Sequence, residues 1–164
     1  LIDSHDTFRY LETCNGDISK LEMAVLFQMM YVGTPHIWYG DEVGMMGGHD
    51  PDCRRPFDWN YTQDPIKVSL QNHYKKLIQI RKDHSSLRTG TFKTLIADDM
   101  VYGFERSDSE STIKVILNND TKFNKIVLPS SNDLYIDLLS GNSYRSDNGE
   151  IEIDMPPMSG LILK

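Results

Sequence analysis

Two pairs of ionisable residues near the start of the chain have the side chains and the placement for chemistry. His5 and Asp6 follow one short apolar run, and Asp41 and Glu42 follow the apolar run at residues 37–39. Imidazole and carboxylate groups transfer protons and bind ligands when the fold directs them into one cleft. Neighbouring carboxylates are also common as helix caps and loop ion pairs, so spacing alone favours a structural role for them.

The segment at residues 43–60 is rich in glycine, proline, aspartate and aromatic residues and has neither helical nor strand periodicity. A connection of this length and composition is typical of a functional loop. His49, Asp50 and Cys53 within it could indicate zinc, but a second pair of ligands at regular spacing is absent from the sequence. We therefore expect neither a metal nor another cofactor.

The apolar pattern predicts which elements position these residues. It indicates a strand at residues 1–6, a helix at residues 19–32 and a second strand at residues 37–39. Ser19 and Glu22 have the spacing of a capping box at the start of this helix. In parallel α/β sheets and (β/α)8 barrels, functional side chains lie just beyond the carboxyl ends of the strands, where both ionisable pairs fall.

The second half of the chain has a different pattern. Asp64 and Pro65 predict the start of another helix, and from about Gly90 onward short alternating runs predict antiparallel strands. The Asp-Asn-Gly sequence at residues 147–149 is a strong hairpin signal. The predicted strands lie at residues 91–96, 100–106, 112–117, 124–128, 134–138, 150–154 and 160–163. Seven or eight strands in this length predict a small β-sandwich with a boundary near residues 86–90.

Charge and cysteine content restrict the partners and the compartment. The 164 residues carry a formal charge of −7, which argues against nucleic acid and anionic membranes, because both attract clustered lysine and arginine. Cys14 and Cys53 are too few for a disulfide framework, and we expect free thiols, with a bridge between them as the alternative. We expect a cytoplasmic protein that binds a neutral ligand. Because the chain opens with Leu1 inside a predicted strand, we also expect it to be part of a longer protein.

Three motifs, in this order and separation, resemble the carboxy-terminal third of the alpha-amylase family of glycoside hydrolases. The similarity is greatest to its neopullulanase, cyclomaltodextrinase and maltogenic amylase group, through the loop at residues 47–55. Residues 74–81 and 87–90 also match, whereas the β-rich half matches mainly in pattern. The motifs are Ser-His-Asp-Thr at residues 4–7, Gly-Thr-Pro-His-Ile-Trp-Tyr-Gly-Asp-Glu-Val-Gly-Met at 33–45 and Asp-Pro-Asp-Cys-Arg-Arg-Pro at 50–56.

The resemblance implies an α+β chain in which residues 1–88 hold the last two βα units of a (β/α)8 barrel. Residues 89–164 would then form the carboxy-terminal β-sandwich. It also implies a retaining enzyme that cleaves α-1,4 or, as an alternative, α-1,6 glucosidic bonds of maltooligosaccharides, cyclodextrins or pullulan.

The resemblance also assigns roles to individual residues. Asp6 matches the carboxylate that stabilises the transition state, and His5 matches a residue that hydrogen-bonds the sugar at the scissile bond. Asp50 and Arg54 match a pair that holds the next glucose unit. Asp41 and Glu42 fall in the family's last strand motif, where mainly structural roles are implied.

No acidic residue of this sequence occupies the family's motifs for the nucleophile or the general acid. We therefore predict that residues 1–164 alone hydrolyse nothing. The apolar helix faces would lack their barrel strands, which predicts either a homo-oligomer or helices folded back onto the sandwich.

The alternative function is a noncatalytic module in which the sandwich binds starch-like glucan. Exposed aromatic residues along one sandwich face would favour it, and Tyr102, Phe104, Tyr135 and Tyr144 are the candidates. Trp38 and Trp59 could also stack on sugar rings, but core packing is the more frequent role for an aromatic residue in a barrel strand.

Overall fold

The computed structural model describes residues 2–164, which contain four helices and eight strands. Their contacts divide the chain into two compact units, Leu1–Gln79 and Ile80–Lys164. No helix among the described residues is long and apolar enough to cross a lipid bilayer. The helices are α1 (Tyr10–Thr13), α2 (Ile18–Met30), α3 (Pro65–Asp83) and α4 (Ser85–Thr89).

The first unit is built on α2 and most of α3. The buried side chains of α2 are Leu21, Val25, Leu26, Met29 and Met30, which recur at helical spacing and form the stripe expected from the sequence. The Nε2 atom of His73 on α3 lies 3.0 Å from the carbonyl oxygen of Glu22. This polar contact joins α2 to α3.

The residue predicted to cap the start of α2 was wrong. Asp17, and not Ser19, is the N-cap, and its carboxylate accepts hydrogen bonds from the backbone N–H groups of Ser19 at 3.0 Å and Lys20 at 3.4 Å. The helix consequently begins at Ile18, one residue before the predicted start. An aspartate at the N-cap satisfies two free donors by itself, so the capping box of Ser19 with Glu22 is not needed.

The start of α3 agrees with its prediction. Asp64 accepts a hydrogen bond from the backbone N–H of Ile66 at 2.9 Å, and Pro65 occupies the first helical position. Proline suits this position because its missing N–H would have had no partner in the first turn.

The two segments predicted as strands in the first unit are irregular in the structure. Residues 37–39 and the described part of the first segment, residues 2–6, belong to no hydrogen-bonded strand pair. Leu1, the start of that segment, lies outside the described residues. A strand persists only as part of a sheet, and the described part of this unit contains no sheet.

The second unit consists of antiparallel sheet. The strands β1, β2, β3 and β8 form one sheet in that order, while β4 pairs with β7 and β5 pairs with β6. The register of β1 against β2 shifts between Thr94 and Ile96, which marks a β-bulge. The strands are β1 (Thr91–Ala97), β2 (Val101–Ser107), β3 (Thr112–Asn118), β4 (Asn124–Pro129), β5 (Leu134–Ile136), β6 (Ser143–Arg145), β7 (Glu150–Met155) and β8 (Ser159–Leu163).

Side chains from all three of these sheets share one apolar core. Ile116 of β3, Ile126 of β4, Tyr135 of β5 and Ile153 of β7 are all buried in it. The inward residues of β7 alternate with exposed ones, as a strand with one solvated face requires. Packing between sheets therefore stabilises this unit.

The turn at residues 147–149 forms as predicted, but it does not join two strands of one sheet. Asn148 and Gly149 have φ values of 50° and 80°, and Asp147 and Glu150 exchange both backbone hydrogen bonds. Positive φ at both central residues defines a type I′ turn. The turn connects β6 to β7, which pair with different strands. The prediction missed β6, a three-residue strand with polar ends.

Candidate functional site

The His5–Asp6 turn and the loop at residues 47–56 meet through the backbone of His5. Its carbonyl oxygen accepts hydrogen bonds from the Sγ of Cys53 at 3.2 Å and the Nε of Arg54 at 3.0 Å. The turn is closed locally, because the Oγ of Ser4 accepts from the backbone N–H of Asp6 at 3.2 Å. Two segments separated by more than forty residues in sequence are thus joined at one point.

The structure brings all four predicted site residues together, and Arg54 is at their centre. Its Nη2 atom lies 3.2 Å from Asp6 Oδ1, and its Nε atom lies 3.2 Å from Asp50 Oδ1. The Nε2 atom of His5 lies 3.1 Å from the other carboxylate oxygen of Asp6. An imidazole, two carboxylates and a guanidinium therefore form one continuous polar cluster.

This polar cluster faces solvent. The side chains of Asp6, Asp50 and Arg54 are 67%, 56% and 44% exposed, and that of His5 is 55% exposed. Exposed ion pairs of this kind contribute only about 0–1 kcal/mol each, since water and salt screen them. The pairs are accordingly available to a polar ligand, but they are too weak to fix the loop by themselves.

A second, buried set of contacts involves Arg9, whose side chain is fully buried. Its Nε donates to the carbonyl oxygen of Cys53 at 3.1 Å, and its Nη1 donates to that of Tyr39 at 2.8 Å. Its Nη1 also pairs with Asp41 Oδ1 at 3.1 Å. Its backbone N–H donates to the carbonyl oxygen of Gly47 at 2.9 Å. Arg9 was not predicted, because an isolated arginine carries no sequence signal for partners 30 to 44 positions away.

Asp41 and Glu42 have structural contacts, in agreement with their interpretation from the sequence. Burial raises the pKa of Asp41 to about 8, and the hydrogen bond and negative charge of Asp3 act in the same direction, while Arg9 opposes them. The Oε2 atom of Glu42 accepts from the backbone N–H of Gly40 at 2.8 Å. Both carboxylates therefore have partners within the fold.

The aromatic residues near the site differ from one another in exposure. Trp38 is half-buried, and its ring lies 5.6 Å from that of His5. Trp59, for which core packing was expected, is 80% exposed, because it lies in the irregular loop and not in a strand. Phe8 and His49 pack edge to face at 4.3 Å, which adds a further contact between the turn and the loop.

The aromatic candidates for glucan binding by the second unit do not form an exposed face. Phe104 is 0% and Tyr135 is 2% exposed, while Tyr102 and Tyr144 are half-buried. Phe104 is buried, and its ring stacks on that of Phe92 with the ring centroids 5.3 Å apart. The exposed aromatic face that would have favoured a glucan-binding sandwich is therefore not formed by these four residues.

The two cysteines are free thiols, as expected. Cys53 is fully buried at the contact with His5, whereas Cys14 is half-buried.

Comparison with known proteins places these residues in a family. The alpha-amylase catalytic domain matches residues 1–69. Neopullulanase 2 of Thermoactinomyces vulgaris is 39% identical over 168 residues, which covers 99% of this chain and 28% of that protein. A cyclomaltodextrinase of a Bacillus species is 48% identical over 122 residues, which covers 73% of this chain and 22% of that protein.

Solved structures show the same relationship across both units. The structure of a cyclomaltodextrinase superimposes with a TM-score of 0.88 and 35% identity, covering 99% of this chain and 29% of that one. The chain thus spans about a quarter of the length of the relatives that it matches. Both the sequence and the fold place it in the alpha-amylase family of glycoside hydrolases, to which this chain belongs.

Proposed function

We propose that residues 1–164 are part of a retaining glycoside hydrolase that cleaves α-glucosidic bonds of maltooligosaccharides, cyclodextrins or pullulan. The bonds are α-1,4 or, as the alternative, α-1,6. The observation that carries the proposal is the position of Arg54 between Asp6 and Asp50, beside His5. The names of the relatives, neopullulanase and cyclomaltodextrinase, support these substrates.

The finer architecture forms part of the proposal. Residues 1–88 would correspond to the last two βα units of a (β/α)8 barrel, and residues 89–164 to a carboxy-terminal β-sandwich. The match of the alpha-amylase catalytic domain to residues 1–69 supports the barrel. Three antiparallel sheets that share one apolar core support the sandwich.

Asp6 is the proposed transition-state stabiliser. Cleavage of a glycosidic bond passes through an oxocarbenium-like state in which the sugar ring gains positive charge. A fixed carboxylate stabilises that charge more than it stabilises the neutral substrate, and this difference accelerates the reaction. The contacts of Asp6 with His5 and Arg54 orient its carboxylate while leaving it exposed to a sugar.

The neighbouring residues are assigned to substrate binding. His5 would donate a hydrogen bond to the sugar at the scissile bond, and Asp50 with Arg54 would hold the next glucose unit. A carboxylate and a guanidinium in contact offer adjacent acceptors and donors, which match the adjacent hydroxyl groups of a glucose ring. A neutral ligand also agrees with the negative charge of the chain.

The two principal catalytic carboxylates are proposed to come from outside residues 1–164. Retaining enzymes need a nucleophile and a general acid about 5–5.5 Å apart at the scissile bond. Asp41 cannot supply either group, because it is buried in its pair with Arg9. Asp52 is held by Arg55. The chain should therefore bind α-glucan without cleaving it.

A binding experiment with two neighbouring arginines tests the site. We expect maltotetraose, titrated into residues 1–164 and followed by nuclear magnetic resonance, to shift the backbone signals of His5, Asp6 and Arg54. Arg54→Lys keeps the charge but loses the planar guanidinium group that contacts the carboxylates of Asp6 and Asp50 together. It should therefore weaken maltotetraose binding by about tenfold, equivalent to one hydrogen bond.

Arg55→Lys is the matched control. Arg55 pairs with Asp52 outside the polar cluster, and its replacement should change the affinity by less than about twofold. Equal effects of the two substitutions, or shifts confined to residues 80–164, would contradict the proposed site.

A further inference from the structure

The solvent-exposed polar cluster of His5, Asp6, Asp50 and Arg54 requires a more rigid support than its own contacts provide. Its ion pairs lie at the surface, where water competes with each of them. The two segments that carry it are separated by more than forty residues, and each is irregular or a single 3₁₀ turn. Neither segment is held by a helix or a sheet ladder of its own.

The buried support is a sequence of hydrogen bonds that begins at Arg9. The Arg9 guanidinium donates a hydrogen bond to the carbonyl oxygen of Cys53 at 3.1 Å, and the thiol of the same Cys53 donates to the carbonyl oxygen of His5 at 3.2 Å. The backbone N–H of Arg9 donates to the carbonyl oxygen of Gly47 at the beginning of the loop. One residue therefore contacts this loop on both sides of Asp50, at Gly47 and at Cys53.

The same guanidinium is itself held in place from a third segment. Asp41 and the carbonyl oxygen of Tyr39 accept from its Nη1 at 3.1 and 2.8 Å, and its carbon atom lies 5.0 Å from the centre of the Tyr39 ring. Two nitrogen atoms of the guanidinium, Nε and Nη1, thus contact separate segments of the chain, while its buried Nη2 has no hydrogen-bond partner among the described residues. The planar fork of arginine can make both contacts at once, whereas lysine has a single donor point.

We propose that Arg9 is a positioning residue that sets the distance between the His5–Asp6 turn and the Asp50–Arg54 loop. It does not touch the sugar, and it acts through Cys53 on the carbonyl group of His5. This inference rests on the proposed function for its effect on glucan binding. Its effect on the loop itself is independent of any ligand.

The accessibility of Cys53 gives a direct measure of the loop position. In the native protein Cys53 is fully buried between Arg9 and His5, while Cys14 in the same unit is half-buried. Alkylation by iodoacetamide, resolved for each peptide by mass spectrometry, should modify Cys53 at least about tenfold more slowly than Cys14. Cys14 therefore serves as an internal reference in every sample.

Two substitutions of Arg9 test the proposal. Arg9→Lys keeps the charge and Arg9→Met keeps much of the length, but both lose the fork. Each should accelerate alkylation of Cys53 by about tenfold or more, and change that of Cys14 by less than about twofold. The affinity of each variant for maltotetraose should fall by about tenfold.

The control variant is Met29→Ala, which removes a buried side chain of α2 that has no part in these contacts. It lowers the stability of the same unit, so it should raise the reactivity of both thiols together and leave their ratio unchanged. A ratio in the Arg9 variants equal to that of Met29→Ala would overturn the proposal, as would unchanged protection of Cys53 in Arg9→Lys. If the wild-type chain binds no maltotetraose, the proposed function fails, while the thiol ratio still decides the role of Arg9.

Discussion

At the scale of single residues, the ionisable groups of the first unit divide by burial into two functions. Asp6 and Asp50 are exposed and share Arg54, which suits groups that exchange partners with a ligand. Asp41 is buried with Arg9, where exchange with water is costly and the pair instead fixes the backbone. The same residue type is thus exposed in the proposed binding site and buried in a structural pair.

Substitution of Asp41 should change how stability depends on pH. The pKa of Asp41 is about 8 in the folded protein, against about 4 in an unfolded chain. Between these values the folded state holds a proton that the unfolded state has released. The free energy of unfolding should therefore fall as pH rises from about 4 to about 8, by at most about 1.4 kcal/mol per pH unit, and level off above that.

Asp41→Asn keeps the shape of the side chain and cannot ionise, so it should remove this contribution to the pH dependence of the free energy of unfolding. Urea denaturation at several pH values measures the difference. Tryptophan fluorescence suits this measurement, because both tryptophans lie in the first unit. Parallel pH profiles of the wild type and the variant would show that Asp41 does not carry the proton.

The four polar residues of the candidate site were predicted from the sequence because they stand in motifs that resemble those of a family. Arg9 and Cys53 were not identified as support for the site, although both lie inside or beside those motifs. Their importance depends on hydrogen bonds across 44 and 48 positions in sequence. No local pattern records which distant carbonyl group a buried side chain contacts.

At the scale of the elements, the existence of the helices was easier to predict than their ends. Periodicity predicted α2, but the capping-box spacing of Ser19 with Glu22 indicated the wrong cap, since Asp17 caps α2. A strand is harder to predict, since it needs a partner. The segment at residues 37–39 has the composition of a strand and forms none, and β6 has a polar composition and pairs with β5.

The cap of α2 can be tested by two substitutions. Asp17→Ala removes the acceptor of two backbone N–H groups and should lower the free energy of unfolding of the first unit by about 1 kcal/mol. Glu22→Ala should change it by less than about 0.5 kcal/mol, because the capping box is not formed. Urea denaturation followed by tryptophan fluorescence measures both. A larger loss of stability in Glu22→Ala would show that the capping box of Ser19 with Glu22 does form.

Asn118 has a comparable role in the second unit. It is fully buried at the end of β3, and its Nδ2 donates to the carbonyl oxygens of Lys122, Met155 and Pro156. These contacts join the turn after β3 to the connection between β7 and β8. Asn118 is therefore a single side chain that closes two turns.

Asn118→Ala should destabilise the second unit by about 3 kcal/mol, because buried carbonyl groups lose their donor. Hydrogen exchange of the β3 and β7 peptides, measured by mass spectrometry, would then accelerate by about a hundredfold. Asn119→Ala is the control, since Asn119 is exposed, and it should leave exchange nearly unchanged. Comparable acceleration in both variants would mean that the side-chain contacts of Asn118 are not the cause.

At the scale of the whole molecule, the chain combines two units of different construction. The first contains helices and irregular segments, and the second contains antiparallel sheet with its own core. The all-β character of residues beyond 90 was evident from alternation and turn residues. The pairing of the strands was not evident from the sequence, because the order of strands in an antiparallel sheet depends on contacts between segments that are distant in sequence.

Catalysis is the property that we expect residues 1–164 to lack. A purified polypeptide of this length should release no reducing sugar from cyclodextrin or pullulan, because proton transfer and nucleophilic attack both require carboxylates at the scissile bond. A reducing-sugar assay with Asp6→Asn in parallel measures this. Sugar release by the wild type that Asp6→Asn abolishes would show that the chain contains a complete active site.

The register shift in β1 has a consequence for self-association. This strand forms an outer edge of its four-stranded sheet, and the backbone groups at a sheet edge can template the addition of a strand from another molecule. The extra residue between Thr94 and Ile96 twists the edge and interrupts the regular spacing of those groups. Deletion of Leu95 would straighten the edge, and the protein would then be prone to assemble into extended intermolecular sheets and amyloid-like aggregates.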